Sequence, residues 1–362
     1  MSDLNFSIHA NPNPASEADL AKAFENPGFG NHFTDHMAVI DWNISEGWVN
    51  ARIEPYGPLT LNPANAVFHY GQEIFEGLKA YRHPDGSVHT FRPERNAERL
   101  QASARRLALP ELPTELFVEA VRQLVKIDER WVPPHGQGQS LYLRPFMIAN
   151  EDFLGVRAAE NVTFMVIACP VGSYFADPTR PVSIWLETEY SRAGRGGTGS
   201  AKCGGNYAAS MLPQRIAYEK GCEQVLFLDS CNGTYLEELG GMNVVLVLDN
   251  GTVITPKSDS ILPGITRDSV LELCEQAGRT VERRQISIDE WREGVESGQI
   301  VEAIAIGTAA VISPIGELRA PDFTITNPPV TTESFSMQIR SLLTGIQNGI
   351  EADKNNWLVR LT

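Results

Sequence analysis

The run Gly194-Arg195-Gly196-Gly197-Thr198-Gly199-Ser200-Ala201-Lys202-Cys203-Gly204-Gly205-Asn206-Tyr207 sets one lysine among six glycines. Lysine is scarce in this chain, with seven against 23 arginines, and Lys202 has the uncharged neighbours Ala201 and Cys203. A lysine is a nucleophile only when deprotonated, so its ammonium must be destabilised by desolvation or by nearby positive charge. Small neighbours let a planar ligand come close, and Tyr207 could offer the same ligand a phenol. Alone, the run also reads as a mobile loop carrying an ordinary surface lysine. Gly194, Gly196 and Gly199 fit G-x-G-x-x-G, but the preceding strand ends seven residues early and two further glycines follow. Both features argue against a dinucleotide fingerprint, and no lysine directly follows a glycine here as a P-loop requires.

Four other features carry chemistry of the same kind. Glu237-Glu238-Leu239-Gly240-Gly241-Met242-Asn243 leads into an apolar strand, where an acid can hold a protonated ring nitrogen. Leu262-Pro263-Gly264-Ile265-Thr266-Arg267 opens a helix, whose free N–H groups suit an anion. Ile306-Gly307-Thr308-Ala309-Ala310 is a tight turn of small residues between two apolar strands. Phe91-Arg92-Pro93 puts an arginine at a helix mouth, suited to a phosphate. Each has an ordinary structural reading: a solvated acid, a helix cap, a hairpin turn, a surface ion pair. Pyridoxal 5'-phosphate would use all of them, since it needs a lysine, a carboxylate for its ring nitrogen and a phosphate cup.

Composition narrows the field. All seven histidines lie at or before His135, so a Ser-His-Asp triad or His-rich metal site confined to the last 227 residues is excluded. No metal site is expected. The formal net charge of −15 disfavours nucleic acid and anionic membranes as partners. No run of 18 apolar residues spans a membrane. The five cysteines are odd in number, dispersed and without a CxxC pair, which reads as a reduced cytoplasmic protein. Residues 1–30 resemble neither a secretory signal nor a transit peptide and read as a poorly ordered leader.

The elements that must position these residues follow from periodicity. Strands are expected at 37–42, 48–53, 66–70, 140–148 and 162–169, with a hairpin over 77–91 around Pro84-Asp85-Gly86. Helices are expected over 95–109 and 114–131. In the second half the pattern gives strands at 182–187, 224–228, 242–248, 252–255, 302–306 and 311–315. It gives helices at 207–220, 266–276 and 334–350. The fold class is α+β or mixed α/β in two domains: a small one at 31–170 and a large one at 182–362. The Pro- and Gly-bearing linker 171–181 separates them.

Taken together, the motifs resemble the branched-chain amino acid aminotransferases, pyridoxal-phosphate enzymes of fold type IV. The resemblance runs from about Phe29 to the C-terminal helix. It rests on Phe29-Gly30, Phe33-Thr34-Asp35-His36-Met37, His69-Tyr70-Gly71 and Phe75-Glu76-Gly77-Leu78-Lys79-Ala80. It continues through Phe91-Arg92-Pro93, Leu141-Tyr142-Leu143-Arg144-Pro145, Cys169-Pro170-Val171-Gly172-Ser173-Tyr174-Phe175 and the segments around Lys202, Glu238, Gly264 and Thr308. It implies Lys202 as the Schiff-base lysine and acid/base, Glu238 at the ring nitrogen and Tyr207 near the ring hydroxyl. Arg92, Ile265, Thr266 and Thr308 would hold the phosphate. Phe29, Tyr70, Phe75, Tyr142, Val156 and Tyr174 would line the substrate pocket, with Gly241 setting its size. The N–H groups at Thr308 and Ala309 would take the α-carboxylate with Tyr142, and Arg144 the γ-carboxylate of glutamate. A homodimer is implied, because active sites in the family borrow from the neighbouring subunit.

That assignment meets a physical demand. One pocket must accept an apolar branched side chain and an anionic one; aromatic walls serve the first and an arginine at the edge the second. Two departures stand out: Ala310-Val311-Ile312-Ser313 occupies the place of a redox CxxC in some relatives, and Gly241 that of a threonine. Cys203 reads as a small buried residue, and its role, if any, is not legible in the sequence. D-amino acid aminotransferases and aminodeoxychorismate lyases share the lysine and glutamate. An NAD-dependent oxidoreductase, a cofactor-free Schiff-base aldolase and an amino-acid sensor are the rivals of other classes. Preference among Leu, Ile and Val, and metabolic direction, are not legible.

Overall fold

The computed structural model describes residues 4–172 and 180–362. Tyr174 and most of the expected linker lie outside the described residues. The chain divides into two compact units, one of Met1–Tyr174, Ala201–Gly204 and Gly345–Thr362, the other of Phe175–Ser200 and Gly205–Thr344. With its two added segments the first unit holds the larger share of residues.

The first unit is built on nine strands in one sheet among the described residues. Its order is Ser7–Ile8, Gly47–Pro55, His36–Asn43, Asn161–Val171, Ser140–Ala149, Leu78–Arg82, Val88–Phe91 and Leu358–Arg360, with Glu73–Phe75 also on Ser140–Ala149. All pairings but the first are antiparallel. The C-terminus enters this sheet because Leu358–Arg360 pairs with Val88–Phe91. Helices Pro93–Arg106 and Thr114–Ile127 bury Leu100, Ala104, Phe117, Val121 and Leu124 against Leu141, Leu143 and Phe164. Cys203 belongs to this core, so the neighbour of Lys202 anchors the segment by packing.

Two expectations are corrected here. Residues 66–70 form the helix Ala66–Tyr70, not a strand. Asn65 caps it through its side chain to the Val67 N–H, and Gly71 ends it at φ 55°, a left-handed conformation that glycine adopts without strain. The leader is also structured: Glu17–Glu25 is a helix with a capping box at Ser16 and Asp19, and it buries Leu20 and Ala23.

The second unit carries a mixed nine-stranded sheet among the described residues. The order is Leu236–Leu239, Gln224–Leu228, Val182–Glu187, Val311–Arg319, Ile300–Gly307, Asn243–Leu248, Val253–Pro256 and Val281–Arg284, with Thr324–Thr326 on Val311–Arg319. Val182–Glu187 runs parallel to both its neighbours. Trp291, Leu239, Leu246, Ile254 and Leu318 mark its core. Among the described residues no helix is long and apolar enough to cross a membrane.

Candidate active site

Lys202 belongs to the first unit. Its N–H donates to Ser103 Oγ at 2.9 Å, and its carbonyl accepts from the Phe75 N–H at 2.9 Å. The next turn of chain is held by Glu73, which accepts from the Gly204 N–H. The Lys202 Nζ sits 4.8 Å from the centre of the Phe75 ring. Burial pushes the amine down from 10.5 to about 8, helped by Arg99 and Arg144 and opposed by Glu76 and Tyr142. A lysine at about 8 has a substantial neutral fraction near neutrality, as nucleophilic and proton-transfer chemistry requires.

Around this amine the structure gathers Phe29, Phe75, Tyr142 and Arg144. The Arg144 guanidinium lies 4.8 Å over the Phe75 ring, and Arg144 Nη2 donates to the Tyr142 oxygen at 3.1 Å. Arg144 Nε is buried without a hydrogen-bond partner among the described residues. Phe29 packs on Tyr142 at 4.8 Å between ring centres. Gly77 is required here, since a Cβ would occupy the position of the Tyr142 phenol oxygen. Arg92 is the N-cap of Pro93–Arg106 at φ 50° and lies 4.6 Å over the Trp357 ring. Such a conformation is strained for a non-glycine residue and marks a constrained position.

Tyr70 and Val156 do not join this group. The Tyr70 phenol donates to the Leu154 carbonyl and its ring stacks on Phe153, while Val156 is 90% exposed. With Phe68 and Leu154 they make an exposed apolar surface instead.

The second unit assembles the other set. Glu238 lies buried on Leu236–Leu239. Its Oε1 pairs with Arg192 and accepts the Leu262 N–H at 2.9 Å; its Oε2 accepts Asn243 Nδ2 at 3.1 Å. Asn243 also lies against Gly264, where a Cβ would strike its side chain. Gly264 is the N-cap of Ile265–Gln276 and supplies no side-chain cap, so the N–H groups of Ile265 and Thr266 begin the helix uncapped by it. A Cβ on Gly307 would contact Met242 and the Gly241 carbonyl, which places Gly307, the residue before Thr308, next to Gly241. The Tyr207 ring passes within 3.9 Å of the place a Gly241 Cβ would take. The structure thus brings Tyr207, Gly241 and Gly307 together, with Thr308 and Ala309 following Gly307 in the chain, and separately ties Glu238 to the Ile265–Thr266 helix start through Asn243.

The glycine-rich run is pinned rather than free. Thr198 and Asn206 exchange hydrogen bonds at 2.7 and 2.8 Å, and Arg192 Nη2 donates to the Gly199 carbonyl at 2.6 Å. Its helix, Gly204–Glu219, opens five residues after Gly199, so no dinucleotide turn forms. Sequence reading missed Arg192, Arg99, Ser103 and Glu73. Glu76 stood only within a motif. Among the described residues no group of three or more His, Cys, Asp or Glu could hold a metal ion.

The model of the family described as amino-transferase class IV matches residues 73–318. The chain belongs to the class IV aminotransferases. A branched-chain-amino-acid aminotransferase of Mycolicibacterium smegmatis is 52% identical over 99% of this chain and 98% of that protein. One of Mycobacterium tuberculosis is 50% identical over 99% and 98%. The solved branched-chain amino acid aminotransferase of Escherichia coli superposes with a TM-score of 0.72 at 25% identity, covering 90% of this chain and 100% of that one. A branched-chain amino acid aminotransferase of Thermobaculum terrenum, solved in its PLP form, shares the fold at a TM-score of 0.73 and 23% identity, over 91% and 98%.

Proposed function

We propose that this class IV aminotransferase moves the amino group reversibly between leucine, isoleucine or valine and 2-oxoglutarate, using pyridoxal 5'-phosphate in a ping-pong cycle. The carrying observation is Lys202, its amine depressed to about 8, beside Phe75, Tyr142 and Arg144. The residues fit the cofactor. A buried, readily deprotonated lysine, a fixed buried carboxylate at Glu238 and a glycine-led helix start at Gly264 are what its carbonyl, ring nitrogen and phosphate demand.

When bound, pyridoxal phosphate supplies a carbonyl carbon that condenses with amines and a ring that takes up the electrons left at the substrate Cα. The chain's residues do the rest. Lys202 Nζ takes the Cα proton and returns it on the other side of the transfer. Glu238 holds the proton on the ring nitrogen, and Tyr207 donates near the ring hydroxyl. Arg92, the N–H groups of Ile265 and Thr266, and Thr308 hold the phosphate. Tyr142 with the N–H groups at Thr308 and Ala309 holds the α-carboxylate, beside Gly241. Phe29, Phe75 and Tyr142 bury a branched side chain, which contributes roughly 1.5–3 kcal/mol. Arg144 pairs with the γ-carboxylate of glutamate in the other half-reaction, so that charge is never buried alone.

We extend this to a cytoplasmic homodimer. The exposed Phe68, Tyr70, Leu154 and Val156 supply apolar surface for a second copy. All five cysteines are free, as a reducing compartment keeps them. The deciding experiment is the absorption spectrum of the purified protein. A near-ultraviolet to blue band that shifts with leucine and is restored by 2-oxoglutarate supports the function. A colourless protein that is active without added cofactor overturns it.

A further inference from the structure

Two elements of the first unit grip the Lys202 backbone. Ser103, on the helix Pro93–Arg106, accepts its N–H; Phe75, at the end of the strand Glu73–Phe75, donates to its carbonyl. One turn before Ser103, on the same helix face, stands Arg99. Directly after Phe75 stands Glu76. These two residues close on each other as a fork: Arg99 Nε to Glu76 Oε1 at 2.8 Å and Nη2 to Oε2 at 2.8 Å. Asn96 Nδ2 and the Gly77 N–H add donors to Oε2 at 2.7 and 3.2 Å. Glu76 is 0% exposed and Arg99 8%.

A pair this deep is a poor device for stability alone. Removing both ions from water costs several kcal/mol, and apolar residues of similar volume often serve as well or better. Its position offers a different reason, for it clasps the helix and the strand that hold one lysine.

Building on the function proposed above, we infer that Glu76 and Arg99 are positioning residues for Lys202, fixing the two elements that suspend it and balancing the charge around its amine. The two members act on that amine in opposite senses, Arg99 against its protonation and Glu76 for it. Arg144 and the Tyr142 phenol also act on it, and Glu73 stands on the adjoining strand.

The opposition gives a test that a merely structural role would not pass. Apoprotein is mixed with pyridoxal phosphate across a range of pH, and growth of the bound cofactor's absorption band is timed; its rate follows the neutral fraction of Lys202. Glu76→Gln leaves Arg99 unopposed and should move the half-rise down by about one pH unit. Arg99→Gln leaves Glu76 unopposed and should move it up by about as much. Shifts of the same sign, or none in either variant, overturn the inference. Should a single variant not fold, the double variant Glu76→Leu with Arg99→Met replaces the pair by apolar volume and keeps the fold. Its kcat should fall at least about tenfold while KM for leucine stays within about twofold. Wild-type kcat in that folded protein overturns the inference. Wild-type protein that takes up no pyridoxal phosphate at any pH refutes the cofactor chemistry itself, which is a separate result.

Discussion

Arg192 and Glu238 form an ion pair whose side chains keep only 4% and 5% exposure. The same guanidinium donates to the Gly199 and Ser260 carbonyls at 2.6 and 2.9 Å. One arginine therefore ties the glycine-rich run to the carboxylate assigned to the cofactor's ring nitrogen. A second proton-bearing group on Glu238 would share the load that Arg192 carries with the Leu262 N–H and Asn243.

The variant Arg192→Met should expose that sharing. Removing one member of a buried pair costs about 3–5 kcal/mol. The loss should be largest in apoprotein and smaller when the ring nitrogen's proton partners Glu238. Thermal unfolding with and without pyridoxal phosphate measures both. The cofactor-induced rise in Tm should be greater in the variant than in wild type. An equal rise in both proteins would separate Arg192 from the cofactor.

Lys202 holds a destabilising position, and its cost has a defined pH window. The folded chain depresses the amine from 10.5 to about 8. Below about pH 8 the lysine is charged in both states, and folding carries the full penalty, roughly 3 kcal/mol. Between about 8 and 10.5 the unfolded chain binds more protons, so stability rises with pH, and above that range the penalty is gone. Lys202→Met apoprotein, devoid of turnover, should thus be more stable than wild type by roughly 3 kcal/mol at about pH 7. Urea unfolding near pH 10 should show most of that gain lost. A gain independent of pH would mean that the side chain's shape, not its charge, is what strains the fold.

What the sequence made legible was local. Lys202 stands out through its glycine neighbours and Glu238 through the glycines that follow it, and strands such as Val182–Glu187 and Gln224–Leu228 follow from short apolar runs. Residues 66–70 misled because a five-residue apolar run carries no decisive period; the Asn65 cap and the left-handed Gly71 settle it as a helix. The groups that tune the site were out of reach for another reason. Arg99 meets Glu76 across 23 positions, Arg192 meets Ser260 across 68, and Lys202 meets Ser103 across 99. Such pairings are set by strand order and helix docking, which no window of sequence contains. Tyr70 and Val156 entered by resemblance alone, and in this chain they lie exposed.

Gly77 and Tyr142 test how closely the pocket is fitted. An alanine at 77 must displace the phenol oxygen, which receives the Arg144 Nη2 hydrogen bond at 3.1 Å. Overpacking of this kind costs about 1–3 kcal/mol. Gly77→Ala should therefore lower kcat/KM for leucine and for 2-oxoglutarate by at least about tenfold. Removing the hydroxyl with Tyr142→Phe relieves the worst contact of the new methyl, leaving the ring carbon at 3.0 Å. The two changes together should cost less than the sum of each alone, by about 1 kcal/mol or more in unfolding free energy. Strict additivity would show that the methyl is accommodated elsewhere.

On the proposed function, Arg144 should separate the two substrates of the cycle. Its guanidinium is held over Phe75 and against the Tyr142 oxygen, and its buried Nε has no partner among the described residues. A γ-carboxylate would satisfy that donor, whereas a leucine side chain would need only the aromatic wall. Hydrogen bonds to charged groups contribute about 1.5–3 kcal/mol, or roughly tenfold to a hundredfold in rate. Arg144→Met keeps the apolar stem and removes the charge. Its kcat/KM for glutamate and 2-oxoglutarate should fall by roughly that factor, with leucine changed by about threefold or less. Single-turnover kinetics of each half-reaction, read from the cofactor's absorption, decides the matter. Equal losses for leucine and glutamate would move Arg144 from substrate recognition to support of Tyr142.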